Sequence, residues 1–298
     1  MRDALTLGRI CSMKVGITGA TGLIGSALLP ALSKAGHEPI RFVRSRATGT
    51  DRTWDARSLA PDAVHDLDAV VHLSGAGVGD KRWSTDYKRE ILESRTVSTA
   101  AVADAVAQAG VPVLLSGSAI GYYGHTGDEV LDETSAAGGT FLADVCIQWE
   151  RATEKAEDHA RVVHLRTGIV QSREGGALKK QVPIFKAGGG APLGSGKQWV
   201  SWISLEDEVK AIVHLLTSDV SGPVNLTAPT PVTNRAFTKA LGKAVHRPTL
   251  PIGVPKAALA LALGGFAEEV VHGQRVVPAV LQKDGYVFRQ ELGDALQD

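Results

Sequence analysis

A short apolar run, Lys14–Thr18, leads directly into Gly19-Ala20-Thr21-Gly22-Leu23-Ile24-Gly25, and helical spacing of apolar residues follows from 23 to 35. Strand, glycine-rich turn and helix in that order open a βαβ unit. Gly19 allows the tight turn, Gly22 lets the backbone approach a pyrophosphate, and Gly25 lets the helix lie close to the strand. The helix start offers free N–H groups and a partial positive charge to that anion. Thr21, Leu23 and Ile24 share the turn and are expected beside the same ligand.

The pattern repeats downstream. Strands are expected at Glu38–Val43, 69–73, 111–115, 161–165 and 224–226, with helices at Thr85–Ala109, 142–159, 205–216 and Asn234–Ala244. Alternation of this kind, with right-handed crossovers, predicts an α/β fold, a doubly wound parallel sheet of the Rossmann type. Met13 directly precedes the first strand, so residues 1–12 are expected to be an extension or loose tail. Residues 13–170 should form the Rossmann domain, with elements returning from 203–228. Residues 171–249 read as mixed substrate-side segments, within which 175–196 is a helix followed by a mobile glycine-rich loop. Residues 250–298 read as a small helical C-terminal lobe.

Composition narrows the function classes. Formal net charge is zero over 298 residues, which gives nucleic acid no basic footprint. No apolar run reaches membrane-spanning length. The two cysteines, Cys11 and Cys146, are far apart, which fits a reducing cytoplasm rather than a disulfide framework. The nine histidines have no metal-ligand spacing, so no metal is expected.

The end of the second strand selects the dinucleotide. An NAD site usually carries a carboxylate there for the ribose 2′-hydroxyl. Here the strand ends Arg41-Phe42-Val43-Arg44-Ser45-Arg46. Arg44 can clamp a 2′-phosphate and Ser45 can add a hydroxyl, so the expected cofactor is NADP(H). The 69–73 strand brings Leu73, Ser74 and Gly75 to the same sheet edge. Glu90 and Arg95 stand about a turn and a half apart on the long helix, and spacing alone makes them a surface ion pair.

Together these residues resemble the extended short-chain dehydrogenase/reductase superfamily, and within it the atypical epimerase-family proteins. The similar stretches are Gly19–Gly25, Leu73-Ser74-Gly75-Ala76, Arg82-Trp83, Glu90 with Ser94-Arg95, and Ser116-Gly117-Ser118-Ala119 with Gly121-Tyr122-Tyr123-Gly124. Trp149-Glu150, Arg166-Thr167-Gly168-Ile169-Val170 and Leu226-Thr227-Ala228-Pro229 continue the series. Gly273-Gln274-Arg275-Val276 and Gly285-Tyr286-Val287-Phe288-Arg289 resemble that family's short C-terminal domain of unknown function. The resemblance implies cofactor contacts at Val43, Arg44, Leu73, Ser74, Glu90, Arg95 and Val170. It also implies a small-molecule substrate, with a nucleotide sugar among the candidates, and leaves the oligomeric state open.

Catalysis is where the pattern departs. Hydride-transferring members of the superfamily carry Tyr-x-x-x-Lys on the helix after the serine-bearing strand, with a glutamate four residues beyond the lysine. Anchored on Glu150, the tyrosine position is Leu142 and the lysine position is Cys146. Neither can supply the proton chemistry. Ser118 and Tyr122 are the replacement candidates, with Tyr123 beside them. Asp144 reads as a surface carboxylate, and Cys146 as a small buried residue rather than a nucleophile. Asp128-Glu129 and Asp132-Glu133 read as solvated acids. Lys179, Lys180 and Lys197 could meet an anionic substrate, and Trp199 and Trp202 favour a substrate side. Two functions compete: an NADP-dependent epimerase-like oxidoreductase with a non-standard acid/base, or a catalytically silent, NADP-liganded regulatory or cell-division-related protein.

Overall fold

Parallel pairing dominates the computed structural model, which describes residues 12–297. The sheet consists of β1 (Lys14–Thr18), β2 (Glu38–Val43), β3 (Arg52–Thr53), β4 (Ala69–His72), β5 (Val113–Ala119), β6 (Arg161–Thr167) and β7 (Gly222–Leu226). Its order is β7-β6-β5-β4-β1-β2-β3, and each neighbouring pair runs parallel. Chain order reverses between β1 and β4, and a crevice for ligand opens beyond the strand ends at such a point. The expected doubly wound fold is therefore present. The two-residue β3 is too short to carry a period and was not expected.

Helices α1 (Leu23–Lys34), α2 (Thr85–Ala109), α3 (Phe141–Arg151) and α4 (Leu205–Thr217) cover the two faces. Val71, Leu115 and Leu165 face α1 and α4, joining Leu28, Ile212 and Leu215. Their neighbours Val70, Leu114 and Val162 point the other way and join Val102 and Val106 of α2. Successive strand residues alternate between faces, and both faces are buried, so the strands read as apolar runs.

Three expectations change. The helix expected over 142–159 stops at Arg151 and resumes only as Glu154–Glu157. Thr153 explains the break: its hydroxyl donates to the Glu150 carbonyl at 2.7 Å and bonds His164 Nε2 of β6 at 2.8 Å. The glycine-rich loop is pinned rather than loose. Leu250 N donates to Gly190 O at 2.8 Å, Gly194 N to Val254 O at 2.9 Å, and Leu193 N to Asn234 Oδ1 at 2.8 Å. The tail is helical with one added strand, Arg275–Val276, which pairs with Val130–Leu131. Its Leu281 enters the α1/α4 core.

The extension proposed for residues 1–12 lies outside the described residues, apart from Ser12. Among the described residues no helix is long and apolar enough to cross a membrane, and no cluster of metal-ligating side chains occurs.

Candidate dinucleotide crevice and active site

The Gly19–Gly25 turn is shaped by contact. Gly19 has φ +67°, and a β-carbon there would lie 2.7 Å from the Leu73 carbonyl. A β-carbon on Gly25 would collide with Gly19 O and lie 2.8 Å from the Ala20 α-carbon. Gly22 N donates to Gly19 O at 2.9 Å and closes the turn. The start of α1 has no side-chain cap and no acid in its first turn. By contrast, Ser84, Thr140 and Ser204 cap α2, α3 and α4. The first-turn amides of α1, from Leu23, Ile24 and Gly25, are thus left for an external anion, which fits a dinucleotide pyrophosphate. Thr21 sits exposed in the turn. Leu23 is covered from across the crevice by Gly175, whose added β-carbon would come 3.0 Å from the leucine side chain. Ile24, Leu73 and Val170 pack on the same core, Val170 from the short strand Ile169–Gln171.

Beneath Leu73, Thr18 Oγ1 bonds His72 Nδ1 at 2.7 Å, and Ser98 Oγ reaches His72 Nε2 at 3.3 Å. Burial pushes the His72 imidazole down to about 3 from its ordinary 6.5. Below pH 6.5 the unfolded chain takes a proton that the folded chain refuses. Stability that is full above 6.5 is therefore lost as pH falls toward 3. The melting temperature of the wild type should drop through that window, and that of His72→Gln should drop less. Parallel curves would remove His72 from the acid response.

At the end of β2, Val43 is half-buried while Arg44 and Ser45 are exposed. Arg41 is already engaged: its Nε and Nη2 donate to Asp51 at 2.7 and 2.6 Å. That hydrogen-bonded guanidinium holds the Asp51 carboxyl down to about 2. Arg44 makes no ion pair among the described residues. Asp51 is thus engaged by Arg41, while Arg44 stays exposed at the strand end.

Glu90 and Arg95 do not pair. Glu90 meets Lys81 at 3.0 Å on the rim. Arg95 turns inward, stacks 4.9 Å from the Trp149 ring centroid and lies against Gly75, where an added β-carbon would sit 3.3 Å from it. Five residues on a helix place two side chains on different flanks, so only Arg95 walls the crevice. Ser74 and Gly75 begin the loop that crosses above it. Ala76 N is held by Ser94 Oγ at 3.0 Å, Gly79 O by Lys180 at 2.9 Å, and Arg82 reaches Leu261 O of the tail at 2.7 Å.

At the acid/base position, Leu142 and Cys146 pack against Gly121, whose added β-carbon would lie 3.3 and 3.7 Å from them. Burial pushes the Cys146 thiol up to about 12, so it stays a thiol. Asp144 is exposed and bonds Gln148 at 2.8 Å, a surface carboxylate as expected. Ser118 is buried and donates to Glu150 Oε1 at 2.6 Å, which turns its hydroxyl toward α3 rather than the crevice. Glu150 in turn holds Arg166 with two bonds of 2.8 Å. Arg166 also donates to the Tyr123 hydroxyl at 3.1 Å, and Tyr123 donates to Asn225 Oδ1 at 2.7 Å. Burial pushes the Tyr123 phenol up to about 12 and leaves it a locked structural group. Tyr122 is half-buried, and the Arg166 guanidinium lies 3.5 Å from its ring centroid. Sequence reasoning places Arg166 only within a family-similar stretch and gives neither Arg166 nor Asn225 a role; the further signal is polar character inside strands that are otherwise apolar.

Glu133 also departs from expectation. It is buried, and its Oε1 accepts from Asn225 N at 3.0 Å and Val280 N at 3.2 Å, tying tail to sheet. Asp128 accepts from Trp199 Nε1 at 2.8 Å. Trp202 is core and belongs to no open site, whereas Trp199 is half-buried under Arg275. Lys179 and Lys197 are exposed.

Family comparison agrees with this geometry. Residues 15–227 match the NAD dependent epimerase/dehydratase family, and residues 254–298 match a domain of unknown function, DUF1731. Epimerase family protein Mb2239 of Mycobacterium bovis is 47% identical over 289 residues, covering 95% of this chain and 96% of its own. Epimerase family protein SDR39U1 of Bos taurus is 36% identical, covering 96% and 99%. The crystal structure of human epimerase family protein SDR39U1 (isoform 2) with NADPH superimposes with a TM-score of 0.88 at 32% identity, covering 96% and 98%. UDP-N-acetylglucosamine 4-epimerase from Bacillus cereus, 17% identical with a TM-score of 0.75 over 96% of this chain and 97% of its own, shares the fold. The chain belongs to the epimerase family, in the branch that carries the DUF1731 C-terminal domain.

Proposed function

We propose that this protein binds NADP(H) in the crevice above β1 and β4, and is an epimerase-like oxidoreductase acting on a small molecule in the cytoplasm. The observation that carries the reading is an exposed Arg44 with no ion pair among the described residues, at the end of a strand whose Arg41 is engaged by Asp51. The NADPH in the human relative's structure supports it. The turn residues Gly19, Thr21, Gly22, Leu23, Ile24 and Gly25 hold the pyrophosphate. Val43, Arg44 and Ser45 hold the adenosine end, and Leu73, Ser74, Gly75, Arg95 and Val170 line the path onward. Glu90 belongs to the rim.

When bound, the cofactor supplies hydride exchange at a substrate carbon. The chain must then orient the substrate and move one proton. Tyr122 is the proton donor in this reading, since Tyr123 is locked. Ser118 acts behind it by fixing Glu150 and Arg166. Nucleotide sugars are the first substrates to test, because relatives in fold bind or convert them.

Titration of NADPH, NADP, NADH and NAD against wild type and Arg44→Ala tests the cofactor. Loss of a charge-assisted phosphate clamp of about 1.5–3 kcal/mol should weaken NADPH binding roughly tenfold or more and leave NADH nearly unchanged. Equal losses for both would count against a 2′-phosphate contact. Screening NADPH oxidation across carbonyl and nucleotide-sugar panels tests the chemistry, with Tyr122→Phe expected to abolish any turnover. A second reading rests on Leu142 and Cys146 in place of tyrosine and lysine: a regulatory or cell-division-related protein that keeps the nucleotide without catalysis. Tight NADPH binding with no turnover in any panel would favour it.

A further inference from the structure

Glu208 stands in the first turn of α4 and is completely buried. One carboxyl oxygen accepts the Thr167 hydroxyl at 2.8 Å, and the other has no hydrogen-bond partner. Thr167 is the last residue of β6, and Gly168, Ile169 and Val170 follow it into the crevice wall. Gly168 is wedged on its other side, where an added β-carbon would lie 2.7 Å from Ser201 O. The Ile169–Gln171 strand pairs with Trp202–Ser204, which runs directly into α4. A closed circuit results, from Thr167 through Val170 to Trp202–Ser204 and back through Glu208.

No cation completes that circuit. The only titratable residue of α1 is Lys34 at its far end, and β5, Ile169–Gln171 and Trp202–Ser204 have none. On β6, Arg166 faces Glu150 on the opposite side of the sheet. From the tail, Tyr286 donates to Asp207, and the backbone amides of Arg289 and Gln290 do the same. Asp207 is therefore satisfied, and Glu208 is left among apolar neighbours such as Val209 and Ile212. An ionised carboxylate with an unpartnered oxygen in such a place is strongly unfavourable, whereas a protonated one leaves only a neutral hydroxyl without an acceptor and costs far less.

We infer that Glu208, as a neutral carboxylic acid, positions the Thr167–Val170 segment and so holds one wall of the nucleotide crevice. The functional half rests on the NADP(H) reading above. Burial raises the Glu208 carboxyl to about 8 from its ordinary 4.5. The folded segment thus keeps a proton that an opened, solvated segment releases.

Amide hydrogen exchange at residues 168–171, without nucleotide, tests the latch. After correction for intrinsic rates, the wild-type opening constant should rise by about tenfold per pH unit between 4.5 and about 8, then level off. Glu208→Gln should be flat at the protected end, because it keeps an acceptor for Thr167 and cannot ionise. Glu208→Met should be flat but less protected. A flat wild-type profile, or a slope retained in both variants, overturns the latch. NADPH titration at pH 7 supplies the functional arm. Glu208→Met should bind several-fold more weakly than wild type, with Glu208→Gln restoring affinity. Equal affinity in all three overturns the positioning role. No NADPH binding by any of them overturns the cofactor reading, and amide exchange alone then decides the latch.

Discussion

Glu150→Ala should melt about 5–8 °C below the wild type, because it strands the Arg166 guanidinium in a site that is 4% exposed. Removing one partner of a buried pair costs about 3–5 kcal/mol, far more than the pair is worth against apolar replacements. Burial opposes the charge of Arg166, yet the bonds and charge of Glu150 outweigh it and raise its pKa above the ordinary arginine value. Ser118 loses its acceptor in the same variant. The double variant Glu150→Leu/Arg166→Met should therefore lose less stability than the sum of its single changes. It will not be neutral, since Arg166 also supports both Tyr122 and Tyr123. Thermal melts of the four proteins give the coupling directly. Strictly additive losses would mean that the pair is not the unit that stabilises this corner.

Gly25→Ala should weaken NADPH binding roughly tenfold or more, at an overpacking cost of about 1–3 kcal/mol. The added methyl meets the Gly19 carbonyl and the Ala20 α-carbon, both backbone, so the turn itself must move. Gly22→Ala is the graded control. Its methyl would sit 3.3 Å from Gly19 O, a contact that a small adjustment relieves. Thermal melts without nucleotide should rank wild type most stable, then Gly22→Ala, then Gly25→Ala. The reverse order would contradict the close helix–turn approach.

The sequence disclosed the fold where chemistry and period coincide. Strand β1, its glycine turn and α1 are contiguous, so their signal is local. Arg44 stood out as a candidate for the same reason, since it follows a strand end with no acid beside it in sequence. The Glu150–Arg166 pair was not legible, because α3 and β6 bring together residues with no periodic relation. Tyr122 and Tyr123 are adjacent and identical in type, yet one is half-buried under Arg166 and the other is sealed against Asn225. Only the backbone turn between them distinguishes their roles. Glu133 looked like one more loop acid beside Asp132; its destination depends on Val280, far along the chain. Spacing alone suggested that Glu90 and Arg95 pair, because helical spacing cannot report what lies opposite, here Lys81 and Trp149.

The tail has a consequence for biogenesis. Leu281 fills the α1/α4 core, and Glu133 needs the Val280 amide. During synthesis, strands β1 to β7 leave the ribosome well before those residues do. The emerging sheet must wait with one buried face unfinished and Glu133 short of one of its two amide donors. Transient shielding by a chaperone, or a slow final docking phase, follows from that delay.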